Sequence, residues 1–174
     1  MLIPAAPRDT LLRAAERGLY QLRWSDAILD EVNRNLIEKR MTTANDAHDL
    51  IAVMRSFFPE ALVSGFEGLI RTMTNDPKDR HVLAAAVHAQ AGIIVTENGR
   101  DFREDALLPY GIEAHSIDMF LMHLIDRASG TMTQIIREQA ADLDYPPMTT
   151  DELLNDIALW APEFSRLAAS LMSE

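Results

Sequence analysis

A chain of 174 residues, 48% hydrophobic and 25% charged, has enough material to bury a real core in one domain with a short appendage. It contains no cysteine, which excludes disulfides and thiolate metal sites, and no apolar run nears the roughly 20 residues of a membrane helix. The formal net charge of -11 argues against a general nucleic-acid coat and favours a basic partner, a cation-filled acidic site, or simple solubility.

Leu11, Leu12, Ala15 and Leu19 form an apolar stripe that predicts a helix over residues 8–17, punctuated by Gly18. The residues before it are too few and too uncharged for a signal peptide, so a cytoplasmic protein is expected. Residues 20–24 read as a short strand. Ser25 is placed to cap a helix with the stripe Ile28, Leu29, Val32 and Leu36. Thr43 caps the next, with Leu50, Ile51, Met54 and Phe58 facing inward until Pro59 stops it. Residues 61–66 read as extended and 67–73 as a short helix.

Asp76-Pro77-Lys78-Asp79 combines a cap, a proline at the first helical position and a following acid. The helix it opens, Val82-Leu83-Ala84-Ala85-Ala86-Val87, is apolar nearly all round and small enough to pack closely on a sheet. Gly92 is its expected end, and Ile93-Ile94-Val95 reads as a buried parallel strand. A strand over 112–115 follows, then a helix capped by Ser116 that carries Phe120, Leu121, Leu124 and Ile125. This alternation predicts an α/β fold with a parallel sheet. After Gly130 only helices are expected: a stripe of Met132, Ile135, Ile136 and Leu143, a break at Pro146-Pro147, a capping box from Thr149 to Glu152, and a last helix with Phe164, Leu167 and Leu171. The division expected is a domain over 1–130 and a helical extension over 131–174.

In an open parallel sheet the site lies beyond the carboxyl ends of the strands. Asp79 stands at the rim of a buried helix, and Glu31 at the edge of the stripe containing Val32. Thr96-Glu97-Asn98-Gly99-Arg100-Asp101-Phe102 directly follows the buried strand. Carboxylates gathered in a partly dry cleft either hold protons or collect a cation. Oxygen ligands without sulfur favour magnesium or manganese over zinc. Each acid also has a plainer reading: Asp79 as a favourable charge at a helix N-terminus, Glu31 as a solvated acid, Asp101 as a cap before Phe102, and Asn98 as a turn residue before glycine. The five histidines show no metal-ligand spacing, and packing is the expectation for His81 and His88. The nine methionines read as packing residues. No nucleophile motif or phosphate-cradling glycine loop is present.

The segments Trp24-Ser25 to Glu31-Val32, Asp79-Arg80-His81-Val82-Leu83-Ala84-Ala85-Ala86, and Ile94-Val95-Thr96 with Asn98, Asp101 and Phe102 resemble the PIN domain of VapC-like toxins. The likeness covers residues 2–128, and the helical tail is similar to an extension carried by one group of those toxins. It implies a three-layer α/β/α sandwich and a metal-dependent endoribonuclease, neutralised by a VapB-like antitoxin and able to form a homodimer. It also implies Glu31, Asp79 and Asp101 as catalytic carboxylates and, with Asn98, as ligands of Mg2+ or Mn2+. Thr96 would be their hydrogen-bonding support, and Arg80, Arg100 and Arg103 would meet RNA phosphates. A DNA-directed nuclease and a non-cutting module that still docks an antitoxin are the alternatives.

Two departures from the family pattern stand out. Asn98 occupies a position where many members have aspartate. The first-strand aspartate would precede Met1, with Met1-Leu2-Ile3-Pro4 matching only the end of that strand. A start codon placed too late is the expected explanation, with a shortened remnant as its alternative.

Overall fold

The computed structural model describes residues 5–143 and 147–173. Among them the chain runs through α1 (Ala5–Glu16), α2 (Asp26–Glu38), α3 (Ala44–Phe57), α4 (Arg80–His88), β1 (Ile93–Val95), α5 (Glu104–Leu107), β2 (Glu113–His115), α6 (Ile117–Arg127), α7 (Ser129–Ala141), α8 (Thr150–Ala158) and α9 (Pro162–Met172). None of these helices is long and apolar enough to cross a membrane. The chain divides into two compact units, one of them Leu22–Ala114 and the other, among described residues, 5–21 with 115–173. The expected end of the first strand at Met1-Leu2-Ile3-Pro4 lies outside the described residues, as does Pro146.

In the unit Leu22–Ala114, α2 begins where the Ser25 hydroxyl accepts the Ile28 N–H at 3.3 Å, and it buries Leu29, Val32 and Leu36. The Thr43 hydroxyl accepts the Asp46 N–H at 3.2 Å to start α3, which buries Ala47, Ile51 and Met54. Each hydroxyl satisfies one donor that the first helical turn leaves unpaired. Trp24 meets Phe58 edge to face, with ring centroids 6.0 Å apart. Leu83, Ala84, Ala85 and Ala86 of α4 join Val63, Phe66, Met73, Ile94, Phe102, Leu107 and Ile112 in one apolar core. The three alanines let α4 lie close to β1 because they carry no bulk beyond Cβ. β1 and β2 form a two-stranded parallel sheet, and the Glu113 N–H donates to Gly92 O at 2.9 Å.

The sheet is narrower than the hydrophobic pattern predicts. Residues 20–24 and 61–66 meet only in an isolated parallel bridge, Trp24 with Leu62. Its bonds run from Trp24 N–H to Ala61 O at 2.9 Å and from Val63 N–H to Trp24 O at 2.7 Å. A 3-10 turn over Pro59–Ala61 bounds the pairing on one side, and Gly65, at φ 83, turns the chain away on the other. The predicted helix at 67–73 is a 3-10 helix, Glu67–Thr72. Gln90 at φ 53, rather than Gly92, makes the left-handed turn after α4. Gly92 instead supplies the carbonyl that Glu113 meets.

The second unit is helical. Leu11 and Ala14 of α1, Ile117, Leu121 and Ile125 of α6, Met132, Ile135 and Ile136 of α7, Leu153 of α8 and Phe164 of α9 are all buried, whereas Leu143 is exposed. Inside this packing the Thr10 hydroxyl donates to Gln139 Oε1 at 2.7 Å, and the Gln139 amide donates to Ala6 O at 2.9 Å. Ser116 caps α6, and Thr149 with Glu152 forms the expected capping box on α8. The start of α9 has no cap from its own chain neighbour Ala161. Asp118 of α6 serves instead, accepting the Phe164 N–H at 2.9 Å and the Glu163 N–H at 3.3 Å.

Candidate functional site

All eight residues singled out above belong to the unit Leu22–Ala114. Asp79 closes a 3-10 turn, Pro77–Asp79, that leads into α4. The Asp76 side chain, which accepts the Lys78 N–H at 3.1 Å, holds that turn. Asp79 stands at the N-cap position of α4 yet makes no side-chain capping bond. Its carboxyl, 14% exposed, is therefore not used to finish the helix.

Asp101 ends the 3-10 turn Gly99–Asp101 that follows β1. Its carbonyl accepts the Asp76 N–H at 3.2 Å, tying the two carboxylate-bearing loops together through main chain. Its side chain is 12% exposed and lies close enough to Asp79 for each carboxyl to shift the other. Burial, then the neighbouring Asp101 carboxyl, push the Asp79 carboxyl up to about 6, with Lys78 opposing and Glu31 adding to the rise. Asp101 moves the other way, held below the usual carboxylate range first by its hydrogen bond to Lys78. One of the two acids thus favours keeping its proton, and the other favours charge.

Lys78 Nζ lies 2.7 Å from Asp101 Oδ2 and 4.0 Å from Asp79 Oδ2. The Asn98 amide donates to Asp101 Oδ2. The Asn98 N–H donates in turn to the hydroxyl of buried Thr96 at 3.0 Å, which holds the loop as it leaves β1. Asp79, Asp101, Asn98 and Thr96 therefore lie together in the structure.

Glu31 sits less closely. It lies on α2 beside buried Val32, 33% exposed, with Oε2 3.9 Å from His81 Nε2. Its charge reaches Asp79, but the side chain itself lies beside the His81 ring. Of the arginines, Arg80 is half-buried and its Nε donates to Asn75 O at 3.4 Å. Arg100 and Arg103 are exposed, and Arg103 pairs with Asp105 at 2.9 Å. Reasoning from sequence missed Lys78 and assigned His81 to packing. The only signal for either was proximity to Asp79 in the chain.

Among the described residues no group of three or more histidine or acidic side chains is placed to hold a metal ion. A closed cage of the zinc type does not fit. Two carboxylates with an amide beside them do fit a hard cation that keeps several waters and takes only one or two protein carboxylates, as magnesium does. The Asp79 carboxyl is raised first by burial and then by Asp101, and a cation at the pair would favour its charged form.

Residues 2–100 match the family model of the PIN domain, and residues 117–169 match that of the VapC50 C-terminal domain. A protein of Mycobacterium tuberculosis (strain ATCC 25618 / H37Rv) named "Putative ribonuclease VapC50" is 39% identical over 111 residues. That stretch is 64% of this chain and 66% of the relative, just under two thirds of the relative's length. No solved structure matches the chain significantly.

Proposed function

Because the chain belongs to the PIN-domain family, we propose that it is a divalent-metal-dependent endoribonuclease, the VapC-like toxin of a type II pair silenced by a VapB-like antitoxin. The observation that carries this reading is the partly buried Asp79–Asp101 pair beyond the end of β1, one carboxyl raised towards neutrality and the other depressed. Asp79 and Asp101 would hold a magnesium or manganese ion, with Asn98 and Glu31 beside them. When bound, that ion supplies charge neutralisation at the scissile phosphate and an acidified water.

The chain's own residues do the rest. Thr96 fixes the loop that presents Asn98, and Asn98 orients the Asp101 carboxylate. Arg100 and Arg103 are exposed and would meet RNA phosphates, Arg103 by leaving Asp105, and Arg80 lies one residue from Asp79. The charge of -11 keeps an RNA away from most of the surface and suits a basic antitoxin. A nuclease domain over 1–130, a tail over 131–174 that serves packing or an interface, pairing with a second copy and a cytoplasmic location complete the proposal.

The test is cleavage of a structured RNA and of a DNA of matching sequence, with manganese or with chelator. RNA cleavage that needs manganese and falls at least a hundredfold in Asp79→Asn supports the proposal. Equal cutting of DNA would reassign the substrate. A second reading, a non-cutting module that docks an antitoxin, is favoured by the lack of a third carboxylate at the pair among the described residues. Metal-independent antitoxin binding with no cleavage under any condition would select it.

A further inference from the structure

The ammonium group of Lys78 sits against both acids of the pair. Its Nζ is 2.7 Å from Asp101 Oδ2 and 4.0 Å from Asp79 Oδ2. The backbone beneath it is fixed, since Pro77 opens the turn and Asp76 Oδ1 accepts the Lys78 N–H. The side chain itself is 63% exposed, so its four-carbon stem can swing into solvent without disturbing the core. Asp79 and Asp101 are held by their loops and cannot move apart as freely.

We propose that Lys78 is a resident counter-ion of the Asp79–Asp101 pair, competing with the divalent cation for the same carboxylate oxygens and setting the concentration at which that cation binds. The inference rests on the proposed function, because it assumes the pair is a metal site. An ammonium carries one charge and donates hydrogen bonds to at most a few oxygens. A divalent ion carries twice the charge and can take both carboxylates. Binding therefore has to break the Lys78–Asp101 contact and turn the ammonium outward, and the free energy of that contact is subtracted from the affinity. Without the ion, the same contact offsets part of the negative charge on Asp101.

The experiment is calorimetric titration of manganese into the full chain and into Lys78→Met, Lys78→Arg and Arg100→Gln. In parallel, NMR of the 15N-labelled lysine ammonium groups follows a magnesium titration. Lys78→Met is expected to bind manganese about tenfold more tightly, as removal of one close cation at short range implies. Lys78→Arg should stay near the parent value. Arg100→Gln, which removes an equal charge from the Asp101 loop, should change affinity less than threefold. The Lys78 ammonium signal should shift as magnesium is added. Equal affinity in the parent and Lys78→Met, or an equal gain in Arg100→Gln, overturns the proposal and leaves the metal site standing. No divalent binding by any of the four proteins overturns the metal site itself, and the counter-ion role with it.

Discussion

Asp79 and Asp101 face each other from two loops, yet their carboxyls move in opposite directions, Asp79 up to about 6, first through burial, and Asp101 below its usual range, first through its hydrogen bond to Lys78. For Asp79 the folded chain binds the proton more tightly than the unfolded chain does. Its contribution to stability is therefore full below the ordinary carboxylate range and lost as pH rises through about 6. Metal-free protein should melt several degrees lower at pH 7.5 than at pH 5. Asp79→Asn should recover about 1 kcal/mol at pH 7.5, a figure reduced for solvent screening. Melting curves in chelator check this, and an Asp79→Asn protein with an unchanged pH slope would count against it. Asp101 acts in the opposite sense, favouring the fold above the ordinary range and losing that effect only as acid protonates it.

Replacing Asn98 changes the same pair from the side. Asn98→Asp removes the donor to Asp101 Oδ2 and adds a negative charge there. The metal-free protein should lose stability, while the melting temperature should rise more on adding manganese than it does for the parent. Paired melts with and without the ion measure both effects. A smaller manganese-induced rise than in the parent would contradict the arrangement described here.

The signals that the sequence carried plainly were local ones. Ser25, Thr43, Ser116 and Thr149 each cap the helix that follows, because a hydroxyl beside an unpaired N–H acts without knowledge of the fold. Asp79, Asn98 and Asp101 were legible because two of the three follow a buried strand and the third opens the helix packed against it. That residues 20–24 and 61–66 would stop at a single bridge was not, since a strand forms only where a neighbour supplies partners for more than one residue. Here Gly65 cuts the pairing short. Lys78 against Asp101 and His81 against Glu31 are contacts between separate segments, and no spacing within one segment encodes them.

Leu83 is fully buried at the centre of the core beneath the site. Leu83→Ala should cost about 2–5 kcal/mol, from lost burial plus the cavity left behind. Denaturant unfolding gives the value. A loss under about 1 kcal/mol would mean that the small side chains around it close the gap.

In the helical unit, Asp118→Ala removes the carboxylate that caps α9. The N–H groups of Glu163 and Phe164 would then have only water to meet. The expected loss is about 1 kcal/mol, accompanied by faster amide exchange confined to the first turn of α9. Exchange that quickens evenly along the whole helix would point to a wider role for Asp118.

Thr10→Val should leave Gln139 Oε1 short of a donor in a buried position, costing about 1–3 kcal/mol. Adding Gln139→Leu should restore part of that loss, because an apolar pair no longer owes a hydrogen bond. A double-mutant cycle reads the coupling, and strict additivity would show that the two side chains act independently.

The bond from the Asp76 N–H to the Asp101 carbonyl joins one loop to the other without using a side chain. Their spacing is thus written into the backbone, and residues such as Lys78, Asn98 and Arg100 hang from a frame that does not depend on what they are. A substitution at one of those places would alter the charge around the acids while the main chain that sets one loop against the other stays as it is.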